Sequence, residues 1–229
     1  MQPNSQGFTQ SCSNPQFPSV NADQIDTKCG VAGSAKPKSA DAAQDGQKNN
    51  FCAPGPVTPI SFDDFRTLQS SVGANKKINF GNPIGKNHPL SSKAGPTTNR
   101  APLASLGEGQ LRSIEGFIFI ARQEGPESVN CGKKFPKGKQ FDTFHDIHIS
   151  LVADEESTHG DECESVVVEM SPHHRPDLWT AANVLKVAKQ HARVRATGQL
   201  FFDSSHTHVN AQTRHHAFGL ALHELRRCS

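Results

Sequence analysis

In DIHISLVAD, residues 146–154, the apolar Ile147, Ile149 and Leu151 alternate with Asp146, His148 and Ser150. That two-residue period predicts a strand with one buried face and one polar face. Further stretches carry related signals. LRSIEGFIFIAR (111–122) is a long apolar run with Gly116 in its middle, and SVVVEM (165–170) is short and β-branched. ARVRATGQLFFDSSH (192–206) is again an apolar run broken by a glycine, Gly198, and it ends in Asp203 and His206. FGLALHEL (218–225) reads as the last strand. Between the third and fourth strands, PDLWTAANVLKVAKQH (176–191) predicts a helix, with Pro176 and Asp177 suited to its first turn. Leu178, Ala182, Leu185 and Ala188 would form its buried face. The order is β-β-β-α-β-β.

The first half of the chain is less regular. Residues 1–50 are rich in Gln, Asn, Ser, Gly, Ala and Lys, and neither the helical nor the strand period survives in them. They are expected to form a disordered or loosely stapled arm. Cys12 and Cys29 could close a small loop there, or remain free or pair elsewhere. Ser61 followed by Asp64 resembles a capping box, and Phe62, Phe65, Leu68 and Val72 then recur at near-helical spacing. This predicts a docking helix over 62–72, followed by an irregular wrap over 74–107. The expected organisation is an arm (1–50), a docking helix and wrap (51–107) and a strand-rich domain (108–229).

The element order over roughly 108–227 resembles the OB-fold, a five-stranded Greek-key barrel whose third and fourth strands are joined through a helix. Strands that bend to serve both sides of a small barrel favour glycine, which accounts for Gly116 and Gly198. A narrower resemblance is to uncharacterised, exported bacterial proteins. It rests on NNFC (49–52), SVNCG (128–132), HDIHISL (145–151), ECESVVVEM (162–170), VRATGQLFFDSSH (194–206) and LHEL (222–225). The chain departs from that pattern at the last strand, where a Trp-Glu-Ile-His-like run is replaced by Leu220, Ala221, Leu222 and His223. The resemblance implies the barrel and no particular activity.

Composition narrows the location and the partners. Hydrophobic residues make up 34% of the 229 residues and mean hydropathy is -0.57, low for a chain that is globular throughout. The formal net charge of +2 means that attraction to an anionic partner must come from a local patch. No window is apolar enough for a membrane-spanning helix. The start, MQPNSQGFTQ, does not read as a signal peptide, while six cysteines without a CxxC pair favour a disulfide-forming compartment over a zinc ribbon. A mature, exported form carrying an added Met reconciles the two, so the expected location is extracytoplasmic, periplasmic or secreted. The favoured bridge is Cys131–Cys163, which would pin the first loop to the barrel rim, and Cys52 and Cys228 flank the better-patterned region.

Three kinds of chemistry follow. CGKKFPKGKQF (131–141), between the first two strands, interleaves Lys133, Lys134, Lys137 and Lys139 with Phe135 and Phe141. Lysines neutralise phosphates and aromatic rings stack on bases, so this loop is a candidate site for an oligonucleotide or an oligosaccharide. The absence of Tyr and the single Trp, Trp179, weigh against a large stacking platform. The twelve histidines supply a second candidate. His145, Asp203, His206 and His208 fall in loops that converge in a closed barrel, and such donors suit zinc or another divalent transition metal. His148, His215, His216 and His223 lie nearby in sequence, each with an equally ready structural role. The third, a triad from Ser204, Ser205, His206 and Asp203, is disfavoured because adjacent residues on one loop rarely align. The reading is a non-enzymatic binding module on an OB-like barrel, the alternatives being a metal-dependent hydrolase using the His/Asp loops, or a structural or protein-interaction domain.

Overall fold

A computed structural model describes residues 8–9, 33–50, 53, 55–74, 100–130, 145–159, 165–172, 179–203 and 218–227. Its elements, in chain order, are β1 (Phe8–Thr9), α1 (Ala40–Lys48), β2 (Thr58–Pro59), α2 (Phe62–Ala74), α3 (Ala101–Ala104), β3 (Leu111–Gln123), β4 (Ile147–Val152), β5 (Val166–Met170), α4 (Ala181–Ala188), β6 (Arg193–Phe202) and β7 (Phe218–Arg227).

Strands β3 to β7 close on themselves. β3 pairs antiparallel with β4 and β6, β4 with β5, and β6 with β7, while β5 and β7 meet in parallel at Val168↔Leu220 and Glu169↔Ala221. This is the five-stranded, mainly β, OB-like barrel that the pattern predicts. β3 is long because it serves two neighbours: Leu111–Phe117 runs beside β6 and Phe117–Gln123 beside β4. Gly116 sits at that changeover, where an added Cβ would lie 2.4 Å from the Val152 carbonyl oxygen. Gly198 marks the register shift between β6 and β7, the bulge that lets β6 turn the corner of the barrel. Two short strands extend the sheet, β1 against β7 and β2 parallel to the start of β3.

Ile114, Ile118, Ile147, Ile149, Leu151, Val166, Val168, Met170, Val194, Ala196, Leu200, Phe202 and Leu220 form the barrel core. α2 docks on it as expected, through Phe65 and Val72, with Phe62 and Leu68 partly buried beside them. Its start is a true capping box: Asp64 N donates to Ser61 Oγ at 3.1 Å, and Ser61 N donates to Asp64 Oδ2 at 2.8 Å.

Two expectations need correction. The helix between the third and fourth strands is shorter than 176–191, running from a Thr180 cap that accepts from Asn183 N. Its buried positions are Val184 and Val187, with Leu185 and Ala188 partly buried and Ala182 exposed, while Leu178 lies outside the described residues. Val184 and Val187 therefore lead the face turned to the barrel, with Leu185 and Ala188 packed beside them and Ala182 turned away. The second concerns the arm: residues 40–48 are helical and packed. Ser39 caps α1 by accepting from Ala42 N, and the buried residues of α1 are Ala42, Asp45 and Lys48. A helix whose inward positions include a carboxylate and an ammonium leaves no apolar period to detect.

Candidate functional site

The register of the barrel lines up His148, Glu169 and Gln199 across its outer surface, with Ala221 between the last two. His148 on β4 pairs with Glu169 on β5, Glu169 with Ala221 on β7, and Ala221 with Gln199 on β6. The neighbours of His148 and Glu169 in their strands, Ile147, Ile149, Val168 and Met170, point into the core. The period of two therefore sends His148 outward, as expected, and Glu169 with it. They do not reach solvent, because α1 and the loop after β3 cover them: Glu169 is 4% exposed and the Asp146 side chain fully buried.

Lys48, the last residue of α1, enters this covered face. Its Nζ lies 2.6 Å from Glu127 Oε2, 2.6 Å from Asp146 Oδ2 and 2.6 Å from Glu169 Oε2, and its side chain is only 4% exposed. Asp203, at the end of β6, accepts from Gln44 Nε2 at 2.7 Å, and its charge also acts on Lys48. Gln199 Nε2 donates to the Gln47 carbonyl, tying the helix end to β6. Asn130 Nδ2 donates to Asp146 Oδ1 at 2.7 Å, and Ser128 Oγ donates to Asp45 Oδ1 at 3.1 Å. His148 stands beside the node, with Nε2 3.6 Å from Glu169 Oε1 and Nδ1 3.5 Å from Glu124 Oε1.

Carboxylates outnumber cations here, and burial sharpens the imbalance. Burial pushes Glu169 up to about 7 against the pull of Lys48, with Asp203 and Asp146 adding to the rise. Burial, helped by Asp146 and Glu169, pushes Glu127 up to about 7 as well, although 32% of that side chain still meets solvent. Asp45 rises to about 6, chiefly by burial. Burial also acts on Asp146, but the Lys48 ammonium and the Asn130 amide outweigh it and hold this carboxyl below its ordinary range. Burial would lower Lys48, yet Asp146, Glu127 and Glu169 together raise it well above an ordinary lysine. Burial and the Lys48 charge keep His148 below the usual histidine range. The node thus holds one ammonium, one firmly ionised aspartate and two carboxyls that accept a proton near neutrality.

Among the described residues, Glu127, Asp146 and His148 have ligand atoms within 4.8 Å of one another, a spacing that a divalent ion could bridge. The Lys48 ammonium already stands 2.6 Å from both of those carboxylates, so the positive charge between them is its own. Of the expected metal set, His145 is buried, with its carbonyl accepting from Gln123 Nε2 at 2.7 Å, and Asp203 belongs to the Lys48 surroundings. His206 and His208 lie outside the described residues, as do His215, His216 and the serines Ser204 and Ser205. So do Lys133, Lys134, Phe135, Lys137, Lys139 and Phe141 and all the cysteines, including Cys131 and Cys163. The sequence reading missed Lys48, Glu127 and Glu169, and took Asp146 only as a polar position of a strand. The signal it passed over was Glu169 within SVVVEM, a charge in a strand otherwise apolar.

A second buried ion pair lies at the end of β6 next to Asp203. Arg100 pairs with Glu108; Arg100 Nη2 donates to the Phe202 carbonyl at 2.6 Å, and Phe202 N donates to Glu108 Oε1 at 3.0 Å. Elsewhere, a cavity of about 520 Å³ lies beside β2 and the start of α2, lined by Val57, Ile60, Phe62, Arg193 and Arg195. Its guanidinium groups are turned onto Glu115, which accepts from Arg195 Nε at 2.8 Å. No helix among the described residues is long and apolar enough to cross a membrane. Comparison with protein-family models, curated proteins and solved structures returns no match.

Proposed function

We propose that this chain is a non-enzymatic, extracytoplasmic binding module that takes an anionic polymer on the loop between β3 and β4. The observation that supports this most is the clamp at the base of that loop. The segment 131–144 leaves the barrel at Asn130 and returns at His145 and Asp146, and Asn130 is bonded to Asp146 at 2.7 Å. Lys48 adds a tie from Glu127 to the same Asp146. A recognition loop works best when rigid elements position its ends. This loop carries Lys133, Lys134, Lys137 and Lys139 with Phe135 and Phe141, the residue types that neutralise phosphate or sulfate and stack on rings. OB barrels bind ligands with this loop, the loop between the fourth and fifth strands, and the outer face of the second and third strands. Here α1 covers that face, which leaves the loops to make the contact. The titratable groups of the covered face are spent on one another, which favours binding over hydrolysis.

The test is titration of the whole protein with a single-stranded oligonucleotide and, separately, with an acidic glycan at several salt concentrations. Affinity that falls steeply with salt and is lost in the triple variant K133E/K134E/K137E supports the proposal, and the arm that binds identifies the polymer. Equal affinity of wild type and triple variant for both polymers overturns it. Binding of neither directs attention to the structural or protein-interaction alternative.

A further inference from the structure

We propose that Lys48 and Asp146 are joined by an intramolecular isopeptide bond, formed autocatalytically with Glu169 as proton carrier. The inference stands on the geometry of the node and does not depend on the binding function proposed above.

Three features point to it. Lys48 Nζ lies 2.6 Å from Asp146 Oδ2, so the amine and the carboxyl it would attack are held in contact, the proximity on which intramolecular reactions draw. Asn130 Nδ2 donates to the other oxygen, Asp146 Oδ1, at 2.7 Å, where it polarises the carboxyl and stabilises negative charge as attack proceeds. Glu169 Oε2 lies 2.6 Å from the same nitrogen, within reach of the proton that must move. All three participating side chains are 4% exposed or less. Glu127 is as near to Lys48, but 32% of its side chain meets solvent, and Asn130 polarises Asp146 instead.

The step balances without a further reagent. The Lys48 ammonium passes a proton by way of Glu169 to Asp146, and the lone pair of the neutral amine attacks Cγ of the protonated carboxyl to form the C–N bond. Collapse of the tetrahedral adduct breaks one Cγ–O bond. The departing hydroxyl leaves as water, taking a second proton that Glu169 carries from the nitrogen. An ammonium and a carboxylate become one amide and one water, with no oxidation or reduction. The driving force is the one that makes buried ion pairs costly: two desolvated charges are replaced by a neutral group, and the water escapes. The raised basicity of Lys48 slows the reaction, but it need occur only once in the life of each chain.

The test is the intact mass of the full chain, reduced and denatured, followed by fragmentation of a proteolytic digest. The expected result is a mass lower by one water than the sequence requires, and a branched peptide joining Lys48 to Asp146. The isosteric variant E169Q is expected to retain the water and give separate peptides, and D146A likewise. A wild-type mass equal to that of the sequence overturns the proposal without recourse to any variant. A mass lower by one water with the branch at Glu127 or Glu169, or with a cyclic imide and no branch, overturns it equally.

Discussion

His148 and Glu169 face each other across the β4–β5 ladder, and the end of α1 lies over both. On an ordinary half-buried strand pair these positions would meet water. Here they border a chamber that, among the described residues, takes its ammonium from Lys48, 100 positions before His148 in the chain. The barrel supplies the acids and the arm supplies the base, so each is incomplete without the other.

Removing the base leaves charges without compensation. Breaking a buried ion pair from one side costs about 3–5 kcal/mol, and K48M is expected to fall in that range by denaturant unfolding at neutral pH. Glu127 and Glu169 can take up protons to relieve the loss, so the penalty should shrink in mild acid. A K48M protein as stable as wild type at every pH would mean that the node contributes nothing.

Stability should fall as pH rises through the same window. Glu127 and Glu169 move from 4.5 to about 7 and Asp45 from 3.8 to about 6, so the folded chain holds protons that the unfolded chain releases. Their contribution is complete below the unfolded values and is lost as pH rises through the raised ones. His148 opposes this: its value lies below 6.5, so its contribution is present above 6.5 and lost as pH falls through the folded value. As free groups, Asp146 loses its contribution only in stronger acid than 3.8 and Lys48 only in strong alkali; joined as an amide, neither titrates. Three raised acids against one lowered histidine leave a net decline between 4.5 and about 7. A series of unfolding midpoints across that range checks the sign, and E169Q should flatten the slope. A cross-link would not reverse it, since neutralising Lys48 removes a charge that holds the acids down.

Two glycines separate the barrel from the arm. At Gly116 an added Cβ would meet the Val152 carbonyl oxygen at 2.4 Å, a backbone atom fixed in the ladder, so G116A should cost about 1–3 kcal/mol. At Gly46, inside α1, a Cβ would meet nothing within 4 Å, and G46A should raise stability by about 0.5–1 kcal/mol through helix propensity. The gain appears in global unfolding only if α1 unfolds together with the barrel. Chemical denaturation of both variants therefore reads the coupling directly.

The barrel was legible because its strands follow a period of two and its corners need glycine. Gly116 and Gly198 mark a changeover of partners and a bulge, both visible as glycines inside apolar runs. The Ser61–Asp64 capping box announced α2 for the same reason: the signal is local. Lys48 carried no such mark. In the run QDGQKNN it looks like one more solvated lysine, and the inward positions of α1, Ala42, Asp45 and Lys48, form no apolar stripe. Only the closed barrel brings Glu127, Asp146 and Glu169 together, from the loop after β3, the residue before β4, and β5. Asp203 was singled out for its histidine neighbours, yet its described partner is Gln44 in the arm.

The central claim is that Lys48 holds α1 against the outer face of β4 and β5, and native-state hydrogen exchange tests it most directly. The amides of Ala43 and Asn49, which donate to Ser39 and Asp45, should exchange as slowly as those of the barrel strands in wild type. In K48M that protection should be lost in α1 while β3 to β7 keep theirs. Rapid, coil-like exchange of α1 in the wild-type protein would contradict the account.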